Sequence, residues 1–198
     1  MGRSTKVSQP NVSNDHDLAE PQPEQQLHFR DRMVYLSGEM NEVSITQVIG
    51  GILTLANDND KLPITLIVST YGGSVDEMFS LYDVMKYVPC PIHTVGLGKI
   101  MSAGVLLLAA GEKGHRLIGA NARVMIHSMS GGMHGNVFEV KNKSDEMQQL
   151  QESIVNSLAV ETKMSKQSLT KIMSTKLDTF YNARECVKFG IVDKIVGQ

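Results

Sequence analysis

The feature that most constrains the fold is an alternation of short apolar segments with longer segments of helical periodicity, which begins at residue 33. Pro63–Ser69 is predicted to be a buried strand, and Ser74–Tyr87 follows with apolar residues at helical spacing. A third strand is predicted at Ile92–Gly96, followed by a glycine-bearing turn and an apolar helix at Ser102–Ala110. This alternation is typical of an α/β domain in which helices cover a largely parallel sheet.

The rest of the chain continues the pattern, with one exception in length. A long polar helix is predicted from about residue 137 to 163, and its apolar stripe is narrow. Such a stripe favours a helix that projects and packs against a copy of itself, and the alternative is a surface helix folded back on its own domain. The remaining predicted strands are Met33–Leu36, Arg116–Ile118, Val124–Ile126 and Ile191–Val196, and the remaining helices are Ser44–Ala56, Lys166–Thr175 and Ala183–Phe189.

Composition excludes several classes of protein. The chain has 198 residues, 41% of them hydrophobic, which suits one domain with a sizeable core. With 19 basic and 21 acidic residues there is no broad positive field, so we expect no nucleic-acid partner and no membrane anchor. The longest apolar run, Gly104–Ala110, is far shorter than the roughly 20 residues of a membrane span. Cys90 and Cys186 are expected to be buried packing residues.

Residues 1–27 differ from the rest, because they contain three prolines and many amide and hydroxyl side chains but hardly any large apolar ones. Such a segment cannot bury enough surface to order itself, so we expect a disordered tail or a propeptide. It lacks the apolar region of a secretory signal, and its acidic residues argue against a transit peptide. The folded domain is therefore expected to span residues 28–198.

Three side chains indicate serine hydrolase chemistry. Ser102 is followed by Ala103-Gly104, His127 follows a short apolar strand, and Asp178 precedes Thr179-Phe180. A serine hydroxyl is a poor nucleophile at neutral pH, so it needs an imidazole to take its proton and a carboxylate to fix the tautomer of the imidazole. Ser102, His127 and Asp178 are therefore the candidate catalytic residues.

Two places in the sequence offer backbone donors for an oxyanion. Ser102 begins an apolar helix, so the amide of Ala103 can point at the same spot as its hydroxyl. Gly72-Gly73 follows the buried strand, and the lack of Cβ atoms lets its amides approach a ligand closely. The alternative for the glycine pair is a tight strand-to-helix turn.

Four segments, in this order, resemble the caseinolytic peptidase family, ClpP. They are Tyr71–Val75, Gly98–Gly111, Arg123–His127 with Gly131-Gly132 beyond it, and Asp178–Asp193. The similarity covers about residues 33 to 196. It implies a ClpP/crotonase-like βα superhelix with a protruding handle helix at about residues 133–163.

The resemblance also implies an ATP-dependent-type serine endopeptidase that hydrolyses unfolded polypeptides inside a ring-shaped chamber. Ser102 would be the nucleophile, His127 the general base and then acid, and Asp178 the group that orients the histidine. The amides of Gly73 and Ala103 would form the oxyanion hole. The subunit itself would need no cofactor and no metal.

Substrate binding and assembly follow from the same resemblance. Gly131–Val140 is similar to a strand that holds extended substrate, which makes Gly72, Gly131, Gly132 and Met133 the candidate substrate-binding residues. The chain would form a homo-oligomer of two stacked heptameric rings, joined through the handle. ATP would be consumed by a separate AAA+ unfoldase, and the expected location is cytoplasmic.

Several positions depart from the family pattern. Tyr71 replaces the usual proline before the glycine pair, Ser128-Met129 replaces Gln-Pro after the histidine, and Lys99–Met101 replaces small residues before the serine. Thr65 stands where an aromatic residue for chaperone docking is common, although Tyr87 keeps one at another such position. These departures favour one alternative, a catalytically weak or structural subunit of a mixed ring.

Two other enzyme classes and a metal site are less favoured. A crotonase-like enzyme would use the backbone amides without a serine nucleophile, so it gives no reason for Ser102 and His127. A Ser–Lys dyad with Lys99 would need the lysine to turn from solvent towards the serine. His93 and His115 have no carboxylate or cysteine at ligand spacing, so no metal site is predicted.

Overall fold

The computed structural model describes residues 31–198, and the helices and strands within this range alternate as the sequence predicts. The α/β fold with a largely parallel sheet is therefore confirmed, whereas the tail predicted for residues 1–27 lies outside the described residues. The elements are β1 (Met33–Met40), α1 (Glu42–Asp58), β2 (Ile64–Gly73), α2 (Val75–Tyr87), β3 (Ile92–Met101), α3 (Gly104–Ala109), β4 (Arg116–Ile118), β5 (Arg123–Ile126), α4 (Val137–Glu161), α5 (Lys166–Met173), β6 (Thr179–Asn182), α6 (Ala183–Lys188) and β7 (Lys194–Ile195).

The described strands form one seven-stranded sheet that branches at β3. Its main path runs β1-β2-β3-β4-β7, and β5 and β6 continue from β3 on the branch. The first half of β3 pairs with β4 through Thr94–Gly96, and its last three residues, Lys99–Met101, pair with β5. All pairings are parallel except that of β5 with β6.

The core lies between this sheet and the helices. Helix α1 is capped by Asn41, whose side chain forms a capping box with that of Ser44. The helix buries residues three and four positions apart, such as Ile45, Val48 and Ile52. Helix α3 is buried on all sides, as a wholly apolar helix requires. No helix between residues 31 and 198 has both the length and the apolar character needed to cross a membrane.

The long helix α4 divides into two halves. Asn136 and Glu139 form a capping box at its start, where Val137 and Phe138 are 81% and 80% exposed. In its C-terminal half, Ile154 and Leu158 are buried against the domain. The first half is therefore exposed, whereas the second is folded back on its own domain, and packing of the exposed half against a copy of the chain stays a prediction.

The buried Glu161, the last residue of α4, is 4% exposed. Its carboxylate accepts a hydrogen bond from Tyr82 at 2.9 Å and pairs with Lys86 at 2.7 Å and Lys113 at 3.1 Å. Burial by itself raises the pKa of Glu161, but hydrogen bonds from these three partners outweigh it and lower the pKa below its ordinary value. The carboxylate therefore stays charged inside the protein.

Arg116 links the same helix end to the last strand. Its guanidinium is 4% exposed, donates to the Glu161 carbonyl at 2.7 Å and contacts both carboxylate oxygens of Asp193, at 2.6 and 3.0 Å. Although burial raises the pKa of Asp193, the Arg116 bonds lower it to about 2. We call this cluster the α4 anchor; it consists of Glu161, Arg116, Asp193, Lys86, Lys113 and Tyr82.

Three local predictions were wrong in detail. Strand β3 continues past Gly96 to Met101, because pairing with β2 and β5 overrides the weak strand propensity of its glycines. The apolar helix consequently begins at Gly104 and not at Ser102. The segment Gly131–Val140 contains no strand, because none of the strands within residues 31–198 pairs with it and the Asn136 cap starts α4 at Val137.

Candidate active site

Three adjacent strand ends bring the predicted residues together. Ser102 directly follows β3, His127 directly follows β5, and Asp178 directly precedes β6. In the parallel pair Met101 lies opposite Met125, and in the antiparallel pair Ile126 lies opposite Thr179. This register places the serine, histidine and aspartate side by side at one end of the branch, and we refer to them below as the trio.

The serine occupies a sharp turn between strand and helix. Ser102 has φ of +53°, a left-handed conformation that is uncommon for residues other than glycine. Its amide donates to the Met125 carbonyl at 2.9 Å, which fixes the turn to β5. Its Oγ lies 2.7 Å from His127 Nε2, within hydrogen-bond distance. An imidazole at this distance can take the hydroxyl proton.

The carboxylate is less closely joined. His127 Nδ1 is 3.8 Å from Asp178 Oδ1, which is longer than a hydrogen bond. The Asp178 side chain is 50% exposed, whereas that of His127 is 27% exposed. The two groups are close enough to attract each other when the histidine is protonated, but the hydrogen bond that would hold the imidazole in one tautomer is not closed.

Glycine is required beside the serine for steric reasons. Gly72 has φ of +101°, and a Cβ placed there would lie 2.8 Å from the Ser102 Cβ. At Gly73 a Cβ would clash with the Met40 carbonyl oxygen. The backbone of β2 can therefore approach the serine only because Gly72 lacks a side chain, whereas Gly73 allows the same strand to lie against Met40.

A cleft of about 280 Å³ opens next to the trio, and Ser102, His127, Gly73 and Ala103 all line it. Most of its other walls are apolar and come from elements far apart in the sequence. They include Met78, Leu106, Met125, Met129, Ile154, Leu158 and Met173. The cleft can therefore take an apolar side chain next to the serine hydroxyl.

Sequence reasoning missed part of this cleft. Ile154 and Leu158 belong to the stripe of α4 that predicted self-association, and the same helical spacing could have indicated a wall of the site. Gln151 was also missed, although its side-chain oxygen accepts a hydrogen bond from the Met129 amide at 3.0 Å. This bond fixes the chain shortly after His127.

Two unusual residues next to the site contact each other. Tyr71 lines the cleft, is 71% exposed, and has the Lys99 ammonium over its ring at 4.9 Å from the centroid. Because Lys99 is held there and the serine hydroxyl is bonded to His127, the geometry gives no support to a Ser–Lys dyad.

The other predicted substrate-binding residues lie outside the walls of the cleft. Gly72, Gly131, Gly132 and Met133 are not part of its lining, whereas their neighbours Gly73 and Ser130 are. Gly131 and Gly132 are exposed, and they lie in the irregular segment that leads to α4.

A serine and a histidine in hydrogen-bond contact, beside an apolar cleft at the strand ends of an α/β sheet, define a site of the serine hydrolase type. Comparison with protein families agrees with this class: the model of the family described as Clp protease matches residues 22–198. The chain belongs to the Clp protease family, and its parallel sheet fits the ClpP/crotonase fold. The match begins within the segment predicted to be a tail.

Membership of the Clp protease family indicates the general properties that its members share. Clp family peptidases are serine peptidases that need no cofactor in the subunit. Members generally form oligomeric rings with AAA+ partners.

Both predicted packing cysteines, Cys90 and Cys186, are buried, and burial raises the pKa of the Cys186 thiol to about 12.

Proposed function

We propose that this chain is a serine endopeptidase subunit that cleaves unfolded polypeptides with Ser102 as its nucleophile. The observation that carries the proposal is the 2.7 Å contact between Ser102 Oγ and His127 Nε2 in a cleft wide enough for a side chain. A hydroxyl in this position can transfer its proton as it attacks. The family supports peptide-bond hydrolysis as the reaction.

The reaction would proceed through an acyl-enzyme. Ser102 Oγ attacks the carbonyl carbon of the peptide while its proton moves to His127 Nε2. The C–N bond then breaks, and the histidine gives that proton to the departing amine. A water molecule next attacks the ester with His127 as base, which releases the carboxylic acid and restores the serine. Asp178 stabilises the imidazolium formed in each step.

The developing oxyanion would be stabilised by the amides of Gly73 and Ala103. Both residues line the same cleft as Ser102. The close approach of Gly72 to Ser102 and to the Ala103 amide supports this role, because it places backbone rather than side-chain atoms near the attacked carbonyl. Ala103 is the next residue after the left-handed turn at Ser102, so its amide is adjacent to the nucleophile in the chain.

Substrate selection would combine an apolar pocket with an exposed backbone. The methionine-rich walls favour a flexible or apolar side chain on the acyl side of the cleaved bond. Gly72 and the segment that contains Gly131, Gly132 and Met133 would bind the polypeptide in extended form. Because none of the described strands pairs with that segment, it has backbone groups to offer a substrate.

The assembly would be two stacked heptameric rings served by a separate AAA+ unfoldase. The exposed half of α4, with Val137 and Phe138 about 80% exposed at its start, supports contact between rings through the handle at about residues 133–163. ATP would be used by the unfoldase, and residues 28–198 would form the peptidase domain.

The test is a fluorophosphonate probe on the purified full chain, read by intact mass with native mass in parallel. We expect one adduct per chain in a ring-sized assembly, and none in Ser102→Ala. Ser153→Ala is the matched control, because Ser153 is exposed on α4 and is not part of the cleft lining, so labelling should be unchanged. An assembled ring that forms no adduct would contradict an autonomous peptidase.

One observation favours a second candidate, a weak or structural subunit of a mixed ring. The 3.8 Å gap between His127 and a half-exposed Asp178 leaves the imidazole incompletely oriented. This candidate predicts slow labelling of the isolated chain. It also predicts unchanged turnover when Ser102→Ala is built into an otherwise active complex, whereas the first candidate predicts that the turnover due to this subunit is lost.

A further inference from the structure

At the other end of β3, three side chains that are separated in the sequence meet at the protein surface. His93 Nε2 lies 3.2 Å from Glu112 Oε2, and the His93 and His115 rings stack with centroids 4.2 Å apart. One ligand atom from each of the three residues falls within 4.8 Å of the others. The sequence pattern did not indicate this group, because β3 and the turn after α3 are joined only in the folded sheet.

The backbone around the group is held in place. His115 donates its amide to the Glu112 carbonyl at 3.0 Å, which closes a turn. The turn is bonded to β3 on both sides of His93: the Glu112 amide donates to the Ile92 carbonyl at 2.8 Å, and the Thr94 amide donates to the His115 carbonyl at 3.3 Å. Only the side chains therefore need to move when a ligand binds.

We infer that His93, Glu112 and His115 form a surface site for a zinc ion. Two imidazoles and one carboxylate are a donor set that zinc takes, whereas magnesium and calcium prefer oxygen ligands. Tetrahedral zinc holds its ligand atoms about 3.3 Å apart, so the 4.8 Å group closes by a shift of about 1.5 Å. One of the two stacked rings must also rotate about its side-chain bonds, because an imidazole nitrogen binds a metal in the plane of its own ring. Glu112 is 45% exposed and His93 is 25% exposed, which gives the ion access from solvent.

The site is separate from the proposed peptidase chemistry. Eight residues of nearly continuous strand lie between His93 and Ser102, so the two residues are separated by nine residue steps, or at most about 30 Å. Three protein ligands leave a fourth position on zinc for water or for a group from another chain. In the subunit itself the ion joins the turn after α3 to β3, so its direct effect is to stiffen residues 112–116.

The test measures zinc binding by the full chain, prepared without a histidine tag, in competition with a chromophoric chelator. We expect one zinc per chain that Glu112→Gln weakens by at least about tenfold and that His93→Ala with His115→Ala abolishes. His134→Ala, which changes an exposed histidine elsewhere, and Ser102→Ala should bind as the unchanged chain does. Zinc should also slow hydrogen exchange at residues 112–116.

Two results would overturn the inference. If the unchanged chain binds no zinc at tens of micromolar, the group is only a histidine–glutamate pair. If zinc binds but the Glu112 and His93–His115 variants bind it equally well, the ion sits on other histidines. The isosteric Glu112→Gln keeps the test valid even where the double histidine variant folds poorly.

Discussion

The trio and the α4 anchor are both built from polar residues that the fold collects from distant parts of the chain, and they differ in how completely those residues are satisfied. In the anchor, Arg116 and Glu161 are each 4% exposed and bonded by several partners. In the trio, one contact is short and the other is 3.8 Å. Among the described residues no buried side-chain nitrogen or oxygen lacks a partner, so the looser geometry is confined to exposed groups.

The difference follows from what each cluster does. A buried charge without full bonding costs several kcal/mol, so a structural cluster keeps its geometry closed. A reacting site must exchange partners during turnover, so a half-exposed carboxylate and an open cleft are tolerated there. Changes in the trio should therefore affect turnover and spare stability, and changes in the anchor should do the reverse.

The largest expected effect is that of Ser102→Ala on turnover. Loss of the nucleophile should lower peptide hydrolysis by roughly 10⁴–10⁶-fold, which corresponds to about 5–8 kcal/mol. The hydroxyl bonds only a partly exposed imidazole, so the free energy of unfolding, measured in urea, should stay within about 0.5 kcal/mol of that of the unchanged chain. A folded variant that retains more than a hundredth of the turnover would contradict the assignment of Ser102 as the nucleophile.

Asp178→Asn should have a smaller effect on turnover. An aspartate well aligned in such a trio contributes roughly 10⁴-fold, but the 3.8 Å gap and 50% exposure lead us to expect a loss of about 10²–10³-fold. Steady-state hydrolysis of a peptide measures it, with the exposed Asp145→Asn as control. A loss of 10⁴-fold or more would mean that assembly or substrate closes the gap.

Sequence reasoning found Ser102 and His127 beside a recognisable turn and a recognisable strand, whereas Asp178 was indicated by the resemblance of Asp178–Asp193 to the Clp family. It missed β6, because Thr179–Asn182 is four residues long and mostly exposed, so it has no apolar alternation to detect. Glu161 was missed for a different reason: a charged residue at a helix end is typical of a surface. Its burial depends on Lys86 and Lys113, whose proximity only the folded chain establishes.

Asp193→Asn should destabilise the fold and leave the chemistry intact. The buried Arg116 would lose its charged partner while keeping its bonds to backbone carbonyls, so we expect a cost of about 2–3 kcal/mol in the free energy of unfolding. Urea unfolding at fixed protein concentration measures it, with the exposed Asp60→Asn as control. Fluorophosphonate labelling under native conditions should be unchanged.

The same aspartate gives a pH dependence of known sign. The folded pKa of Asp193 is depressed to about 2, so its carboxylate stabilises the fold fully above about pH 4 and loses this effect as the pH falls towards 2. We expect the advantage of the unchanged chain over Asp193→Asn to shrink by about 1–2 kcal/mol across that interval, allowing for partial solvation. An advantage independent of pH would mean that packing, and not charge, connects Asp193 to Arg116.

The smallest expected effect is that of Lys86→Met on the free energy of unfolding, because Lys86 lies at the exposed edge of the α4 anchor. Lys86 pairs with Glu161 at 2.7 Å, yet its side chain is 42% exposed, so solvent already screens much of the interaction. In Lys86→Met the stem can still pack near Tyr82, and Glu161 keeps Lys113 and the phenol as partners. We therefore expect a loss of about 0–1 kcal/mol in urea unfolding, well below that of Asp193→Asn. A cost of about 3 kcal/mol would show that the exposure of an ion pair does not predict its contribution to stability. It would mean that Lys113 cannot stabilise the buried Glu161 carboxylate by itself.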